Sequence, residues 1–417
     1  MTLATLSASA AAMPAPAAIP YDHYPVDAVM HVTHRPRAVF TRGQGSWLWD
    51  SEGRCCLDLV QGWAVNTLGH APTVVARALS DQAGRLLQAG PGFHNDRAIA
   101  LAERLTALSG LDRCFITTSG AEANEGAIKL ARKFGRVKRG GAFEIVTFVN
   151  AFHGRSIATM SASGKPGFDT MYAPQVPGFP KARLNDLDSV AAAIGPRTVA
   201  VMLEPIQGEA GVIEAEPAFL QALRRLCDER GLLLMFDEVQ TGVGRTGDWW
   251  GWQATGVRPD VMTLGKGLGG GVPIGALLAR EAVCCFEPGD QGGTYHGNAL
   301  VSAAALAVLT AVAAPGFLDA VRQRGEHLRA GLVALAGARG AAAVHGRGLL
   351  LALDLPPGRE AGPLCEVLRG RASLDGQGCG LLLNPVRPQR LRFMPALDIT
   401  PREIDLALAM LGEALAA

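Results

Sequence analysis

The sequence predicts an α/β protein in which a large domain with a mostly parallel sheet is joined to a smaller α+β domain. Short apolar, β-rich runs alternate with longer helical patterns up to about Pro315, which is typical of βαβ units. Beyond Pro315 the order changes, because a long helical pattern comes first and strand-like runs follow. The chain has 417 residues, of which 48% are hydrophobic and 18% charged, so it can bury two or three domain cores and is too apolar for a disordered chain.

The chain begins with an Ala/Pro-rich segment, residues 1–20. No Lys or Arg occurs before Arg35, so the positive start of a signal peptide is missing and we expect a disordered tail. Residues 21–60 are predicted to form the N-terminal part of the small domain. Residues 61–314 are predicted to form the large domain, and residues 315–417 the C-terminal small domain.

The large domain is predicted from strands and the helices between them. The predicted strands are Cys114–Thr118, Glu144–Val149, Val199–Leu203, Leu232–Phe236 and Val261–Leu264. Helical patterns cover Ala121–Phe134 and Pro217–Arg230. Ligands of open α/β sheets bind beyond the carboxyl ends of the strands, so we expect the polar groups that follow these strands to converge on one crevice.

The apolar stretch from Ala299 to Ala314 closes the large domain. It is shorter than the roughly 20 residues that span a bilayer, so we expect a buried helix. The small domain is then predicted from a long helix, two strand-like runs and a last helix: Phe317–Ala336, Gly348–Leu355, Gly380–Leu383 and Pro401–Ala416.

The charge composition argues against nucleic-acid and membrane partners. Lys and Arg total 39 and Asp and Glu total 38, so no long-range basic field exists to attract a polyanion or an anionic lipid surface. The eight cysteines show no C-x-x-C spacing, so we expect no metal site and free core thiols in a reducing compartment. A soluble, cytoplasmic protein is therefore predicted.

Lys266 lies at the end of a predicted strand, between glycines in the segment TLGKGLGGG. Burial there would lower the pKa of the lysine and free its amine to form an imine with a ligand carbonyl. The alternatives are a surface lysine or a phosphate loop. The pattern G-x-x-x-x-G-K-[ST] is absent, which argues against the phosphate-binding loop of a nucleoside triphosphatase.

Asp237 follows five apolar residues, so its carboxylate needs a partner at the end of a buried strand. A protonated ring nitrogen, an arginine or Mg²⁺ could each serve as that partner. Asp237 and Glu238 also resemble the acidic end of a nucleotide-binding strand, but that interpretation fails without the matching phosphate loop.

Four further features have both a functional and an ordinary interpretation. The segment Ser119–Glu122 could bind a phosphate at a helix N-terminus or be a simple N-cap. Phe152 could stack on a planar ring or pack in the core, and Arg155 could bind a carboxylate or be a surface charge. Glu209 and Arg392 could form a buried pair or be solvated. Taken together, these groups favour one ligand, pyridoxal 5′-phosphate, which has an aldehyde, a ring nitrogen, a phosphate and a flat face.

The chain resembles the class III pyridoxal-phosphate aminotransferases, which have fold type I, over roughly residues 35–415. The segments that carry the resemblance are GWAVNTLGH at 62–70, SGAEANE at 119–125, FHGR at 152–155, LEPIQGEAGV at 203–212, FDEVQTGVGRTG at 236–247 and PDVMTLGKGLGGGVPIGA at 259–276. Within the class, the first and third of these segments look most like the acetylornithine aminotransferases of arginine biosynthesis. The resemblance therefore implies an enzyme with pyridoxal phosphate in the large domain.

The resemblance implies a role for each matching position. Lys266 matches the Schiff-base lysine and Asp237 the partner of the ring nitrogen, which makes them the expected catalytic residues. Gln240 matches the residue near the ring hydroxyl, while Val239 and Phe152 match the groups on the two ring faces. The remaining expected cofactor contacts are Gly120, Ala121, Glu238 and Thr294. Thr294 matches a threonine that reaches the phosphate of the second subunit, so the resemblance implies a homodimer.

The resemblance also implies the substrates. Arg155 matches the residue that binds the α-carboxylate, and Glu209 matches a residue that masks Arg392 until Arg392 binds 2-oxoglutarate. The implied reaction moves an amino group from an ω-amino donor, N-acetylornithine first, to 2-oxoglutarate and yields a semialdehyde and glutamate. Ornithine, succinylornithine, 4-aminobutyrate or a diamine could instead be the donor. An aminomutase, a decarboxylase or a non-catalytic cofactor-binding protein of the same fold are further alternatives.

Two segments depart from the family pattern. The family usually reads HG-[ST]-T-[FY]-GGN where this chain reads QGGTYHGN at 291–298, so His296 replaces a glycine and Gly293 lacks a hydroxyl near the donor. Trp249–Trp252 is richer in tryptophan than usual. These departures leave the identity of the donor open.

Overall fold

The computed structural model describes residues 18–340, 343–370 and 379–416. Within them the strands are β1 Phe40–Gln44, β2 Trp47–Asp50, β3 Cys55–Asp58, β4 Arg113–Thr117, β5 Glu144–Phe148, β6 Lys181–Ala182, β7 Thr198–Leu203, β8 Ile206–Gln207, β9 Ile213–Glu214, β10 Leu233–Asp237, β11 Val261–Leu264, β12 Gly275–Ala279, β13 Val344–Arg347, β14 Leu350–Asp354, β15 Cys379–Leu382, β16 Asn384–Arg387 and β17 Arg390–Phe393.

The α-helices in the same residues are α1 Gln61–Ala64, α2 Thr73–Ala83, α3 Asp96–Ser109, α4 Gly120–Lys138, α5 Ile157–Ala162, α6 Phe168–Met171, α7 Leu187–Ala193, α8 Pro217–Arg230, α9 Ala299–Val312, α10 Phe317–Arg339, α11 Ala361–Gly370 and α12 Pro401–Ala416. Short 3₁₀ helices occur at Tyr21–His23, Val26–Ala28, Gly251–Thr255, Lys266–Leu268 and Glu281–Val283.

A seven-stranded sheet in the order β4-β12-β11-β10-β7-β5-β6 forms the centre of the large domain. Neighbours are parallel except at β12, which runs antiparallel to both β11 and β4. The predicted mostly parallel sheet is therefore confirmed, and each predicted strand appears with its ends shifted by about one residue or less. Strand β12 was not predicted, because its sequence GALLA has no β-branched residue to indicate a strand.

Burial on both faces explains why the central strands are continuously apolar. Every residue of β7 and β10 is buried. Along β10, Leu233 and Met235 face the core cluster that contains residues of α4, while Leu234 and Phe236 face the opposite cluster with residues of α8. A parallel sheet requires helices on both faces. These helices cover the faces of the sheet and leave the ends of its strands uncovered.

The small domain combines both ends of the chain. Strands β1, β2 and β3 form one sheet with β15, which pairs parallel to β3. A second, antiparallel sheet has the order β13-β14-β17-β16, and residues of α10 and α12 pack with it in one hydrophobic cluster. Strands before residue 60 and a strand after residue 378 thus share one sheet, and the assignment of residues 21–60 to the small domain stays a prediction. The predicted tail falls mainly on residues 1–17, which lie outside the described part of the chain.

The expectation that the cysteines are all free thiols is wrong. Cys55 and Cys379 are joined by a disulfide, and they are register partners on the adjacent strands β3 and β15, with Cα atoms 4.8 Å apart. Sequence spacing could not show this pair because 324 positions separate its members. The other cysteines remain free.

The apolar stretch after residue 298 forms α9, which packs against α2 and α3 as a mostly buried helix. In the described ranges, no helix taken singly has the length and apolar character needed to cross a bilayer. The segments Ala299–Val312 and Phe317–Ala338 meet those criteria only as a pair, and they are bent by 74° where they join.

Candidate active site

The carboxyl ends of the central strands bring the predicted polar groups to one edge of the sheet. Asp237 is the last residue of β10 and is in register with Thr263 of β11. Lys266 follows β11 after one glycine, and the segment that contains Glu204 and Glu209 follows β7. Because β7, β10 and β11 are adjacent and parallel, their loops emerge side by side.

Asp237 is 3% exposed and its carboxylate is held by three donors. Its Oδ2 accepts hydrogen bonds from Asn124 Nδ2 at 2.7 Å and from His153 Nδ1 at 2.8 Å. Its Oδ1 accepts the backbone N–H of Val239 at 3.0 Å. Since the carboxylate oxygen accepts, we assign the imidazole proton to Nδ1 of His153. The carboxylate is therefore fixed in orientation at the end of its strand.

Sequence reasoning missed the residues that orient Asp237. Asn124 is buried in α4, and its Oδ1 accepts from the Thr263 hydroxyl at 2.6 Å. Asn124 and His153 both lie inside segments that carry the family resemblance, but no role was assigned to them. An Asn on the apolar face of a helix and a His beside an aromatic residue were the available signals, because buried polar groups need partners.

Lys266 has a lowered pKa, and the main cause is burial, followed by the nearby Arg392 guanidinium. The carboxylates of Asp237, Glu209 and Glu204 oppose this shift. A lowered pKa leaves a larger fraction of the amine neutral, and a neutral amine is needed for nucleophilic attack or for taking up a proton.

Glu204 is a further site carboxylate to which no role was assigned from the sequence. It is 6% exposed and its Oε1 accepts the backbone N–H of Phe152 at 2.9 Å. Burial raises its pKa to about 8, and the negative charge of Asp237 adds to the effect. Near neutral pH the Glu204 carboxyl is therefore largely protonated, so it adds little negative charge beside Asp237.

The N-terminus of α4 lies directly against the strand ends. The first N–H groups of a helix have no acceptor within it, and Ser119 Oγ accepts that of Glu122 at 3.2 Å. A Cβ on Gly120 would lie 2.6 Å from a methyl carbon of Val239, and one on Gly265 would lie 2.9 Å from the Gly120 Cα. Only glycine permits these approaches, so the helix start forms a close-fitting backbone cradle that suits a phosphate.

Arg392 and Glu209 form the ion pair that was one of two alternatives from the sequence, with the arginine buried and the glutamate partly exposed. Arg392 is 1% exposed, and its Nη2 donates to Glu209 Oε1 at 2.7 Å. Its other donors go to Gln240 Oε1 at 3.2 Å and to Asn384 Oδ1 at 3.0 Å. Burial disfavours the Glu209 anion, but Arg392, Lys266 and Lys165 together hold its pKa below the usual value.

The aromatic and cationic groups after β5 lie at the mouth of the same site. The backbone of Phe152 is tied to Glu204, and its ring lies 6.1 Å from the ring of Phe168. The exposed Arg155 guanidinium lies over the ring of Phe168 at 5.8 Å. Lys165, which was not singled out from the sequence, lies 3.6 Å from Glu209 Oε2.

The side chain of Glu238 has its hydrogen-bond partners in the segment that follows it. Its two oxygens accept from the Thr241 hydroxyl at 2.5 Å and from the backbone N–H groups of Gly251 and Trp252 at 2.8 and 2.9 Å. These contacts anchor the tryptophan-rich segment, and the expected cofactor contact of Glu238 remains a prediction. Trp250 in that segment is fully buried, so this departure serves core packing.

The segment 291–298 is anchored by its backbone while Thr294 stays exposed. Gln88 Nε2 donates to the Thr294 carbonyl at 2.6 Å, and Asn95 Nδ2 donates to the Gly297 carbonyl at 2.8 Å. Within this single chain, no contact of the Thr294 side chain with α4 is seen. The expected phosphate contact of Thr294 therefore remains a prediction.

Gly293 and His296 form one packing unit in this segment. A Cβ on Gly293 would lie 2.5 Å from the His296 ring, so the histidine fills the space that a side chain at 293 would need. The His296 ring stacks edge-on against Phe115 at 4.9 Å, and its Nε2 lies 3.5 Å from Glu122. The two departures from the family pattern therefore compensate each other sterically.

The fold and this convergence of Lys266, Asp237 and a helix N-terminus define an enzyme of the fold type I class. The family model for class III aminotransferases matches residues 29–415, and the chain belongs to that family. Members of the family use pyridoxal phosphate, and the residues at the strand ends fit it: the cradle at Gly120, the oriented Asp237 carboxylate and the low-pKa Lys266. The chain is therefore a pyridoxal-phosphate-dependent aminotransferase.

The chain is most usefully compared with relatives named for acetylornithine. It is 55% identical to acetylornithine aminotransferase 2 of Bordetella bronchiseptica over 95% of this chain and 99% of the relative. It is 53% identical to acetylornithine aminotransferase of Ralstonia nicotianae over 94% and 98%. The structure of N-acetylornithine aminotransferase from Stenotrophomonas maltophilia is similar with a TM-score of 0.79 and 36% identity, over 92% of this chain and 96% of that one. The structure of ornithine aminotransferase from Toxoplasma gondii is similar with a TM-score of 0.86 and 29% identity, over 94% of this chain and 92% of that one.

Proposed function

We propose that the enzyme transfers the ω-amino group of N-acetylornithine to 2-oxoglutarate, yielding N-acetylglutamate semialdehyde and glutamate, as a step of arginine biosynthesis. The observation that carries this proposal is the Arg392–Glu209 pair beside Lys266. The reacting carbon of an ω-amino donor carries no carboxylate. The reacting keto carbon of 2-oxoglutarate does carry one. A cation that a neighbouring glutamate can mask serves both substrates in turn. The names of the relatives at 53–55% identity favour acetylornithine as the donor.

The proposed roles of the residues follow from their contacts. Pyridoxal phosphate, when bound, supplies an aldehyde and a ring that accepts electrons. Asp237, oriented by Asn124 and His153, would face the ring nitrogen and hold a proton there. Nζ of Lys266, whose pKa is lowered by burial, would take a proton from the donor carbon and hold it for return. These roles are the ones that the family resemblance implied for the same positions.

The remaining site residues bind and orient. The backbone at Gly120 and Ala121 would hold the phosphate, Val239 and Phe152 would contact the two ring faces, and Gln240 would lie near the ring hydroxyl. In the substrate pocket, Arg155 would bind the carboxylate at the far end of the donor, Gly293 would lie near the donor, and Arg392 would bind the acceptor.

We propose further that the enzyme is a cytoplasmic homodimer in which Thr294 reaches the phosphate of the partner subunit. Support comes from the exposure of Phe93 and Tyr295, at 76% and 65%, on two segments that the Asn95–Gly297 hydrogen bond joins. Exposed aromatic residues on adjoining segments are typical of an interface. Light scattering of the purified holoenzyme should give twice the mass of one chain, and a monomer at catalytic concentrations would contradict this assembly.

A panel of donors tests the proposed reaction. The purified holoenzyme is assayed with 2-oxoglutarate and, separately, N-acetylornithine, succinylornithine, ornithine, 4-aminobutyrate and a diamine, with glutamate as the measured product. We expect the highest kcat/KM with N-acetylornithine. Lys266→Ala should lower kcat by at least about 10³-fold, because the group that transfers the proton is lost. The matched control Lys138→Gln, an exposed lysine at the far end of α4, should keep full activity.

The outcomes separate the alternatives. A higher kcat/KM with another ω-amino donor reassigns the donor and leaves the chemistry in place. Release of CO₂, or turnover without an acceptor, would indicate a decarboxylase or an aminomutase. Full activity of Lys266→Ala would show that the proton-transfer assignment is wrong.

A further inference from the structure

Each carboxylate oxygen of Glu209 lies near a different cation. Its Oε1 is 2.7 Å from Arg392 Nη2, and its Oε2 is 3.6 Å from Lys165 Nζ. The Arg392 side chain is 1% exposed, the Glu209 side chain 26% and the Lys165 side chain 38%. Glu209 therefore lies between a buried cation in the pocket and a second cation at the mouth.

Aromatic rings hold Lys165 in this place. Its Nζ lies 5.7 Å from the ring centroid of Phe152 and 5.7 Å from that of Phe168. Phe168 is 3% exposed and its ring lies 6.1 Å from that of Phe152, so the two rings form a fixed corner. A cation within about 6 Å of a ring face is attracted to it, so the ammonium group is kept beside Glu209 rather than free in solvent.

When the acceptor binds, Glu209 needs a second cationic partner. Under the proposed function, the carboxylate of the acceptor binds Arg392, so Glu209 has to leave that guanidinium. A partly buried carboxylate that loses its cation carries a desolvation penalty unless another partner replaces it. Lys165 Nζ needs to come less than 1 Å closer to Oε2 to reach ordinary hydrogen-bond distance of about 2.8 Å.

We propose that Lys165 receives Glu209 when Arg392 binds the acceptor, and that Lys165 is thereby a positioning residue which raises affinity for the dicarboxylate acceptor relative to the ω-amino donor. This inference rests on the proposed function. The donor half of the reaction uses the arrangement seen in this structure, in which Glu209 masks Arg392. Lys165 already lies 3.6 Å from Glu209 here, and it stabilises the other arrangement more strongly at the shorter distance, so its effect falls mainly on acceptor binding.

Binding of glutarate, an unreactive five-carbon dicarboxylate, tests this role on the intact holoenzyme. Isothermal titration is carried out with wild type, Lys165→Gln, Lys165→Arg and the control Lys138→Gln. Exposed or half-exposed ion pairs contribute up to about 1 kcal/mol, so we expect Lys165→Gln to weaken glutarate binding roughly three- to fivefold. Lys165→Arg should restore most of the affinity, and Lys138→Gln, about 27 Å along α4 from the site by the rise of a helix, should change nothing. The KM for 2-oxoglutarate should rise in parallel, while the KM for the donor should not.

Repeating the titration in the Glu209→Gln variant separates the proposed role of Lys165 from direct contact of Lys165 with the acceptor. In Glu209→Gln no carboxylate has to be relocated, so Lys165→Gln should have no effect on glutarate affinity there. An undiminished effect in that background would mean that Lys165 binds the acceptor itself, and unchanged affinity in the wild-type background would mean that Lys165 has no role. Either result overturns the proposal. If the wild type binds glutarate with the expected dependence on Lys165 but does not transaminate 2-oxoglutarate, the proposed function fails alone.

Discussion

At the scale of single residues, the orientation of Asp237 depends on a chain of buried polar groups. Thr263 donates to Asn124, and Asn124 and His153 donate to Asp237. Each group is buried, so an unpaired member would cost about 1–3 kcal/mol of stability. This series of hydrogen bonds fixes the direction of the Asp237 carboxylate at the end of its strand. A charge partner for a ring nitrogen requires such a fixed direction.

Glu204 gives a prediction about pH. Its pKa in the folded protein is about 8, well above that of an unfolded glutamate, mainly because of burial. Between those two pKa values the folded state holds a proton that the unfolded state has released, so this group lowers stability as the pH rises from about 5 to 8. We expect Glu204→Gln, which cannot ionise, to gain more than about 1 kcal/mol relative to wild type over that range.

Urea unfolding of the holoenzyme at pH 5.5 and at pH 8 measures this difference. The exposed Glu326→Gln serves as the control and should follow the wild type at both pH values. If Glu204→Gln and wild type lose stability in parallel, the carboxyl of Glu204 is ionised throughout and its assignment as a neutral group is wrong.

At the scale of elements, the segment 291–298 has a local sequence that only its packing explains. Gly293 is the partner of His296, because any Cβ at 293 would overlap the imidazole. Gln88 and Asn95 then tie the backbone of the segment to the region before α3. The segment is thus held in place by its backbone, and Thr294 and Tyr295 are left exposed.

We expect Gly293→Ser to displace this segment and to lower cofactor retention several-fold, because the new side chain overlaps His296. The double variant Gly293→Ser with His296→Gly should recover most of the loss, since the ring that causes the overlap is gone. Dialysis against buffer without cofactor, followed by the visible absorbance of the remaining holoenzyme, measures retention. Gly337→Ala, in α10 with open space at its Cβ, is the control for a glycine replacement. Equal losses in the single and double variants would disprove the compensation.

At the scale of the whole molecule, strands from both ends of the chain share one sheet. The disulfide between Cys55 and Cys379 lies across β3 and β15, where the N-terminal and C-terminal parts of the small domain meet. A link between positions so far apart in sequence limits the unfolded chain, and the effect of such links on stability is typically 2–4 kcal/mol. Its influence is expected on the small domain, away from Lys266 and Asp237.

Oxidised holoenzyme should therefore melt at a lower temperature after reduction with dithiothreitol, while Cys379→Ser should be insensitive to the reductant. Thiol titration of the unfolded protein should give two more thiols after reduction than before it. The buried Cys227, which is free, provides the control, because Cys227→Ala should keep the response to dithiothreitol. Equal thiol counts before and after reduction would show that the bond does not form in the isolated enzyme.

The sequence alone determined the features that depend on short stretches of chain. Apolar runs identified the central strands and α8, α9 and α12, because burial on two faces gives a local pattern. The order of strand and polar residue brought Lys266 and Asp237 to one edge of the sheet, and the family segments gave the cofactor. Strand β12 was not predicted, because its sequence GALLA has no β-branched residue to indicate a strand.

Only the tertiary structure decided which side chains meet. Asp237 and Asn124 are 113 positions apart, so no local pattern joins them. The pair of Arg392 and Glu209, 183 positions apart, was implied by the family resemblance and not by any local pattern. The Glu238 side chain turns to the tryptophan segment, Lys165 turns to Glu209, and Cys55 bonds to Cys379. The physical reason is that burial of a strand depends on neighbours along the chain, whereas the direction of a polar side chain depends on whichever partner the packed fold brings within hydrogen-bond distance.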